Sequence, residues 1–371
     1  RQRDQLRKSE QLAATRLAEA GLEATPGLVD SLSQLYQSRR ELVEQLEPLF
    51  NVISHTNISI LKKPGYEADD ILSEAADCDA LLVISSKIPA DVIRQLERCK
   101  VIGRLGTGTD RIAVDVATKQ GIVVSNVPDF STLEMAEHVM ALLLAWGRQL
   151  FFMTEQMRVG NWEARLHPDV RRISGQTLGL VGLGNSGKAL AIRATAFGMK
   201  VQAWVRNTKK YQMSADQIGV QLVNLDTLLS TSDYVSLHVP LTPNTRGMIG
   251  SKQLSLMKRT GVLINASRGA IVDERALVTY LQEQRIGGAL LDTFEEIDVF
   301  GEHDVPKHPL LELDNVILTP HCGGTSVEST KDQKVRGASY AACVLRGQWP
   351  PYVVNSNVKP IIPLSSYSQI H

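Results

Sequence analysis

Between residues 177 and 321 a short apolar, β-branched run is followed by a turn and a helix-patterned segment, again and again. The runs are TLGLVGL (177–183), KVQAWV (200–205), YVSLHV (234–239), GVLINAS (261–267), GGALLDTF (287–294) and NVILTPH (315–321). Runs this short and this uniformly apolar are strands covered on both faces. The helical segments between them require consecutive strands to run parallel. Six such strands predict a doubly wound α/β sheet, and ligands of such a sheet lie beyond the carboxyl ends of its strands.

A first alternation precedes this one. ALLVIS (80–85), KVIGRL (100–105) and IVVSNV (122–127) are separated by helix-like stretches such as PADVIRQLERC (89–99). STLEMAE (131–137) reads as a capped helix start, and a single helix pattern from Ser326 leads into a Pro-rich tail. A chain of 371 residues can bury two cores. The expected fold class is therefore α/β with two doubly wound parallel-sheet domains, the second inserted into the first. Residues 51–125 plus 326–371 are assigned to the smaller domain and 126–325 to the larger. Residues 1–50 read as a helical N-terminal segment.

The first strand of the larger domain runs into Gly182-Leu183-Gly184-Asn185-Ser186-Gly187 and then a helix, the context in which a glycine fingerprint holds a dinucleotide. The first glycine permits the tight turn, the second admits the pyrophosphate, and the third packs helix on strand. The backbone N–H groups of Asn185 and Ser186 then point at phosphate. The next strand ends in Val205-Arg206-Asn207, followed by Lys209 and Lys210. An acid at the Val205 position would accept the ribose hydroxyl hydrogen bonds of NAD, and valine cannot. Arg206 can meet a 2′-phosphate, so the sequence favours NADP, with NAD as the alternative.

Lys+Arg and Asp+Glu balance at 40 each, which gives no bulk attraction to nucleic acid or an anionic membrane and leaves a small molecule as the expected partner. The longest apolar stretch, HVMALLLAW (138–146), is too short to span a bilayer. Cys78, Cys99, Cys322 and Cys343 show no metal spacing. They fit a reducing, cytoplasmic setting, with Cys322 read as a small buried side chain and no metal expected. The sequence starts at Arg1, which leaves a removed leader open.

Three polar groups stand at later strand ends: Arg268, Asp292 and His321. A guanidinium can grip a carboxylate at two points while an imidazolium gives a neighbouring carbonyl its proton, the two tasks of hydride transfer to a 2-oxo acid. His238 also ends a strand, and position alone does not separate it from His321.

VGLGNSG, HVPLTPNTRGMI (238–249), GVLINASRGAIVDERAL (261–277), GGALLDTFEE (287–296) and NVILTPHCGG (315–324) resemble the D-isomer-specific 2-hydroxyacid dehydrogenase family, over roughly residues 70–350. The resemblance implies a Rossmann-type cofactor domain inserted into a flavodoxin-like substrate domain. It implies that Arg268 binds substrate, that His321 is the acid/base, and that His238, Val239 and Pro240 contact the cofactor through backbone. Asp292 is placed on the nicotinamide side, and Asn207, Thr245, Ala266, Ser267, Gly323 and Gly324 are further cofactor positions. RLGTGTD (104–110) is similar to the segment whose backbone, at Leu105, Gly106, Thr107 and Gly108, holds the substrate carboxylate.

One position departs from the family pattern. The glutamate that supports the acid/base is expected five residues after Asp292, where Ile297 stands. Glu296 is taken as its replacement, with Glu295 second. The expected activity is reduction of a small 2-oxo acid, such as glyoxylate or hydroxypyruvate, to a D-2-hydroxy acid by a homodimer. The competing reading is a dinucleotide-sensing binding protein similar to the C-terminal-binding corepressors. Formate or phosphite oxidation on the same fold is disfavoured, because the extra substrate residues of those reactions are not evident.

Overall fold

Alternation along the chain becomes two separate parallel sheets. The computed structural model describes residues 68–297, 299 and 307–366, and the helical reading of residues 1–50 lies outside them. Two compact units result: one contains the described residues up to Phe130 and from Val327 onward, the other Ser131–Val299 and Lys307–Ser326. The dividing points follow the hydrogen bonding. The Thr107 hydroxyl donates to the carbonyls of Val127 and Pro128, and Asp129 pairs with Arg336, so the segment after the third strand stays with the first sheet.

In the smaller unit β1 (Ala80–Val83), β2 (Val101–Arg104) and β3 (Val123–Asn126) pair in parallel in chain order. Alternate residues face opposite sides. Ile102 and Val124 pack into a cluster with Ile88, Ile93 and Leu96, while Val101 and Val123 meet Ala341 and Val344 of the long helix Val327–Leu345. That helix approaches the sheet closely because Gly337 has no side chain: a Cβ there would lie 2.1 Å from Leu105 Cδ2. Asn355 ties the C-terminal tail to β3, accepting from the backbone N–H of Val124 and donating to the carbonyl of Ile122.

The larger unit has seven parallel strands in the order β10-β9-β8-β7-β4-β5-β6. They are β4 (Thr177–Val181), β5 (Lys200–Trp204), β6 (Gln221–Leu222), β7 (Tyr234–Leu237), β8 (Val262–Asn265), β9 (Gly288–Leu291) and β10 (Val316–Leu318). Edge strand β6, two residues long, is the one the sequence reading lacks; so short a run has no readable period. Leu178, Leu180, Ala203 and Ile264 face a core completed by helices Thr132–Gly147 and Asn185–Ala196, and Val181, Val235, Leu237 and Leu263 face the opposite core. Strand order reverses between β4 and β7, which places the ligand crevice at their carboxyl ends.

The helix Thr132–Gly147 starts differently from expectation. Ser131 is its N-cap but its side chain makes no capping bond. Glu134, the residue that would complete a capping box, instead accepts a hydrogen bond from the Ser326 hydroxyl at 2.8 Å. No helix among the described residues is long and apolar enough to cross a membrane.

Candidate active site

The turn after β4 can be built only with glycine at its first position. Gly182 has φ of +105°, and a Cβ on it would lie 2.5 Å from the backbone oxygen of His238. At Gly187 a Cβ would lie 2.7 Å from the Gly182 oxygen, so the helix packs directly on the turn. Gly184 is different: a Cβ there would meet nothing within 4 Å. It caps helix Asn185–Ala196 without a side chain, leaving open space before the first N–H groups of Asn185 and Ser186. Among the described residues nothing fills the space beside Gly184 at this helix N-terminus, and a pyrophosphate fits such a site.

At the end of β5 Val205 is 6% exposed and packed into the core, while Arg206, Lys209 and Lys210 are exposed. Asn207 caps the next helix, accepting from the backbone N–H of Lys210 at 3.1 Å. The slot that would carry an acid for a ribose hydroxyl is thus apolar and closed, with a cation beside it.

At the end of β7 the His238 ring is held from both sides, its Nδ1 3.1 Å from Ser186 Oγ and its Nε2 2.9 Å from Ser236 Oγ. Burial pushes its pKa down to about 4, so the ring is neutral at neutral pH and both nitrogens are engaged. Val239 is half-buried and Pro240 exposed. Thr245 fixes the following loop by donating to the Pro240 carbonyl at 2.6 Å and accepting from the backbone N–H of Thr242 at 2.8 Å. After β8, Ala266 is buried, the Ser267 hydroxyl donates to the Leu237 carbonyl at 2.7 Å, and Asn265 donates to the Arg268 carbonyl at 2.8 Å. Arg268 itself is half-buried, with one guanidinium nitrogen on the Ser267 carbonyl at 2.8 Å.

β9 and β10 end in one hydrogen-bonded assembly. The Asp292 side chain is 1% exposed and accepts from Thr319 Oγ1 (2.6 Å), the backbone N–H of Cys322 (2.9 Å) and that of Gly323 (2.8 Å), with His138 Nε2 at 3.4 Å. Burial opposes its charge, but the bonds from His138, Thr319, Gly323 and Cys322 outweigh it and hold the carboxyl below the usual range. His321, within the turn so clamped, has φ of +53°, a left-handed conformation that a non-glycine residue adopts at a cost of order 1 kcal/mol or more, and one that clusters at functional sites. Gly323 lets the assembly close, since a Cβ there would lie 2.9 Å from both Asp292 Oδ2 and the His138 ring; at Gly324 it would lie 3.0 Å from Ser131 Oγ.

Cys322 is half-buried, not fully buried as expected, and it serves the turn through its backbone. Burial and then the charge of Asp292 raise its thiol pKa. All four cysteines are free. His138, Asp292 and Cys322 offer ligand atoms within 4.8 Å of one another, as do Glu274, Glu296 and His308. His138, Asp292, Glu274 and Glu296 are already hydrogen-bonded or ion-paired within the protein.

Glu295 pairs with Arg246 at 2.6 Å, and Glu296 with Arg275 at 3.3 Å. Buried Glu274 accepts from the backbone N–H groups of both, and its Oε1 lies 3.2 Å from His308 Nε2. In the smaller unit the turn after β2 is wound around Arg104, whose side chain donates to the carbonyls of Leu105 and Gly108. Gln333 also donates to the Leu105 carbonyl, and the backbone N–H of Gly106 turns back to the Arg104 carbonyl at 2.9 Å. Thr107 is exposed and Gly108 half-buried.

The profile of the D-isomer specific 2-hydroxyacid dehydrogenase NAD binding domain matches residues 140–323. A glyoxylate reductase of Korarchaeum cryptofilum is 38% identical over 329 residues, covering 87% of this chain and 96% of its own length. The chain belongs to the D-isomer-specific 2-hydroxyacid dehydrogenase family. It is also 40% identical over 294 residues to a D-3-phosphoglycerate dehydrogenase of Methanocaldococcus jannaschii; that match covers 78% of this chain and 54% of the relative, so the chain spans about half the length of that protein. Among solved structures, an acyclic imino acid reductase in complex with NADPH and D-Arg aligns with a TM-score of 0.70 and 30% identity, over 84% of this chain and 95% of the other. The cofactor of this dehydrogenase-family chain is a nicotinamide dinucleotide.

Several residues of this 2-hydroxyacid dehydrogenase fold do their work unannounced by the sequence. Ser236 and Ser186 hold His238, Arg104 shapes the turn after β2, and His138 and Thr319 hold Asp292. His138 sits in a stretch that reads as plain apolar helix, and Arg104 reads as a solvated strand end. The one available signal was Thr319, a hydroxyl two residues before His321 at a strand end.

Proposed function

We propose that this protein reduces a small 2-oxo acid to the D-2-hydroxy acid, with NADPH favoured over NADH, and that glyoxylate or hydroxypyruvate is the kind of substrate it takes. The larger unit is the dinucleotide-binding domain and the smaller one the substrate domain. The bound cofactor supplies the hydride to C2. His321, as imidazolium, gives its proton to the carbonyl oxygen, and Arg268 grips the carboxylate at two points. The single observation that carries this reading is the contrast between the two histidines: His238 is neutral and held at both nitrogens, whereas His321 stands in a left-handed turn anchored by Asp292.

We assign the remaining substrate contact to the turn of Leu105, Gly106, Thr107 and Gly108; the backbone N–H groups of Leu105 and Gly106 donate to the Val83 and Arg104 carbonyls, so those of Thr107 and Gly108 are the ones assigned to the carboxylate. Glu296 is the first candidate to stabilise the charged His321 and Glu295 the second. Each rests in an ion pair with an exposed arginine, and such pairs are worth about 0–1 kcal/mol, so re-pairing is inexpensive. The NADPH preference is supported by buried Val205 and exposed Arg206, since an arginine can make charge-assisted bonds to a 2′-phosphate. A homodimer is supported by an uncovered apolar row: Leu150, Phe151, Met157, Val159, Trp162 and Leu166 are all more than half exposed, an unusual concentration for an unpartnered surface. Sedimentation showing monomer alone would remove that assignment.

Steady-state rates with NADPH and NADH against a panel of 2-oxo acids test the reading. The expected result is turnover of short 2-oxo acids with kcat/KM about ten- to a hundredfold higher for NADPH, and a shift toward NADH in Arg206→Ser. Cofactor binding without turnover would overturn the enzymatic reading, and equal use of both cofactors would overturn the NADPH preference.

A further inference from the structure

His138 stands out on helix Thr132–Gly147, whose neighbouring Ala136, Val139, Met140, Leu142 and Leu143 are buried in the apolar core. Its Nε2 lies 3.1 Å from Thr319 Oγ1, and that hydroxyl lies 2.6 Å from Asp292 Oδ1. A hydroxyl has one proton to donate, and an ionised carboxylate can only accept. Thr319 therefore donates to Asp292, and the proton in the His138–Thr319 bond belongs to His138 Nε2. The chain of donors runs one way, from His138 through Thr319 to Asp292. The same carboxylate accepts the backbone N–H groups of Cys322 and Gly323, the two residues that follow His321. The missing side chain of Gly323 makes room for the His138 ring and for Asp292 together.

We propose that His138 and Thr319 are positioning residues of the reaction: by fixing the Asp292 carboxylate they hold residues 321–323 in the conformation that presents the His321 imidazole. The inference rests on the reading of His321 as proton donor. Neither residue touches substrate, cofactor or the reacting atoms in this account; both act through Asp292. Without the Thr319 hydroxyl the carboxylate loses its shortest bond, and the His138 N–H is left with only Asp292 Oδ1, 3.4 Å away, as its acceptor. Without His138 the hydroxyl can turn from Asp292 toward other acceptors. In either case the backbone of the strained turn gains freedom, and the proton donor spends less time in the productive geometry, which lowers kcat more than it alters binding.

The test uses the 371-residue chain and five variants: His138→Leu, Thr319→Val and their combination, which remove the donors, and His138→Gln and Thr319→Ser, which keep one. With saturating NADPH and varied glyoxylate, His138→Leu and Thr319→Val should each lower kcat about tenfold, the scale of one hydrogen bond. KM and the NADPH Kd should stay within about twofold, and the conservative variants should recover most of the loss. The double variant, His138→Leu with Thr319→Val, should fall well short of the product of the two single effects, because His138 acts mainly through Thr319 and only secondarily through its own approach to Asp292. Unchanged kcat in both donor-removing variants would overturn the proposal. So would a joint fall of kcat, NADPH affinity and Tm that the conservative variants do not relieve, since that is mere structural damage. Should His138→Leu fail to fold, the Thr319→Val and Thr319→Ser pair decides. The imidazole NMR resonances of His321 give a readout independent of turnover: they should move in Thr319→Val and not in Thr319→Ser. If the wild type reduces no 2-oxo acid, the functional reading fails, and these resonances alone decide whether the relay holds the turn.

Discussion

Residues 182–187 take their shape from their own glycines, whereas residues 321–323 take theirs from a helix whose His138 lies 181 positions before Thr319 and from the neighbouring strand end. Both turns lie at strand ends of one sheet. In the first, the conformation is encoded locally: a positive φ at Gly182 and two close approaches where no Cβ fits. In the second, a histidine occupies a left-handed position that its own sequence disfavours, and a buried carboxylate with four donors overrides that preference. A site that must accept a rigid phosphate group can be specified by backbone alone. The turn to which the proposed function assigns proton transfer draws on distant side chains.

The sharpest way to break the first half of this comparison is Gly182→Ala. The new Cβ would meet backbone, which cannot swing aside, and would also sit at an unfavourable φ. A loss of roughly 2–5 kcal/mol in unfolding free energy is expected, read by thermal or urea denaturation. A variant as stable as wild type would mean that the turn is not glycine-dependent.

A pH-dependent loss of stability comes next. Folded His238 titrates at about 4, against about 6.5 in an unfolded chain. Below about 6.5 the unfolded state takes up a proton that the folded state refuses, so the neutral ring's contribution is complete above pH 6.5. It declines as the pH falls toward 4, by up to about 3 kcal/mol. Urea unfolding from pH 7 to 4.5 should show this slope, and His238→Gln should flatten it. An identical slope in the variant would place the pKa depression elsewhere.

The smallest expected effect falls on Gly184→Ala. No atom of the described residues lies within 4 Å of the new Cβ and φ is −73°, so Tm should change little, while the NADPH Kd rises about tenfold as the methyl group intrudes on the pyrophosphate. Calorimetric titration separates it cleanly from Gly182→Ala: one glycine serves the fold, the other the ligand. Unaltered cofactor affinity would remove Gly184 from the binding turn.

Much of this was legible in the sequence because it is local. Every strand but β6 falls where a short apolar run stands, and the glycine spacing marks the turn after β4 that the proposed function gives to the dinucleotide. Val205 and Arg206 can be read against the acid that a ribose would require. The rest was hidden because it is assembled across the chain. Nothing in HVMALLLAW marks His138 as the start of a donor chain to Asp292. The expected capping bond of Ser131 gives way to a bond between Glu134 and Ser326, which no local pattern contains. His238 and His321 both stand at strand ends in the sequence, and nothing local to either shows that the former is held by Ser186 and Ser236.

His321→Ala, measured beside His238→Ala for both kcat and NADPH Kd, tests the central claim most directly. With His321 as the proton donor, its loss should lower kcat by a factor on the order of 10²–10⁴ and leave the NADPH Kd within about twofold. His238→Ala should weaken cofactor binding and leave most of kcat at saturating NADPH. Retained turnover in His321→Ala, or abolished turnover in His238→Ala alone, would contradict the assignment of the two histidines and the account built on it.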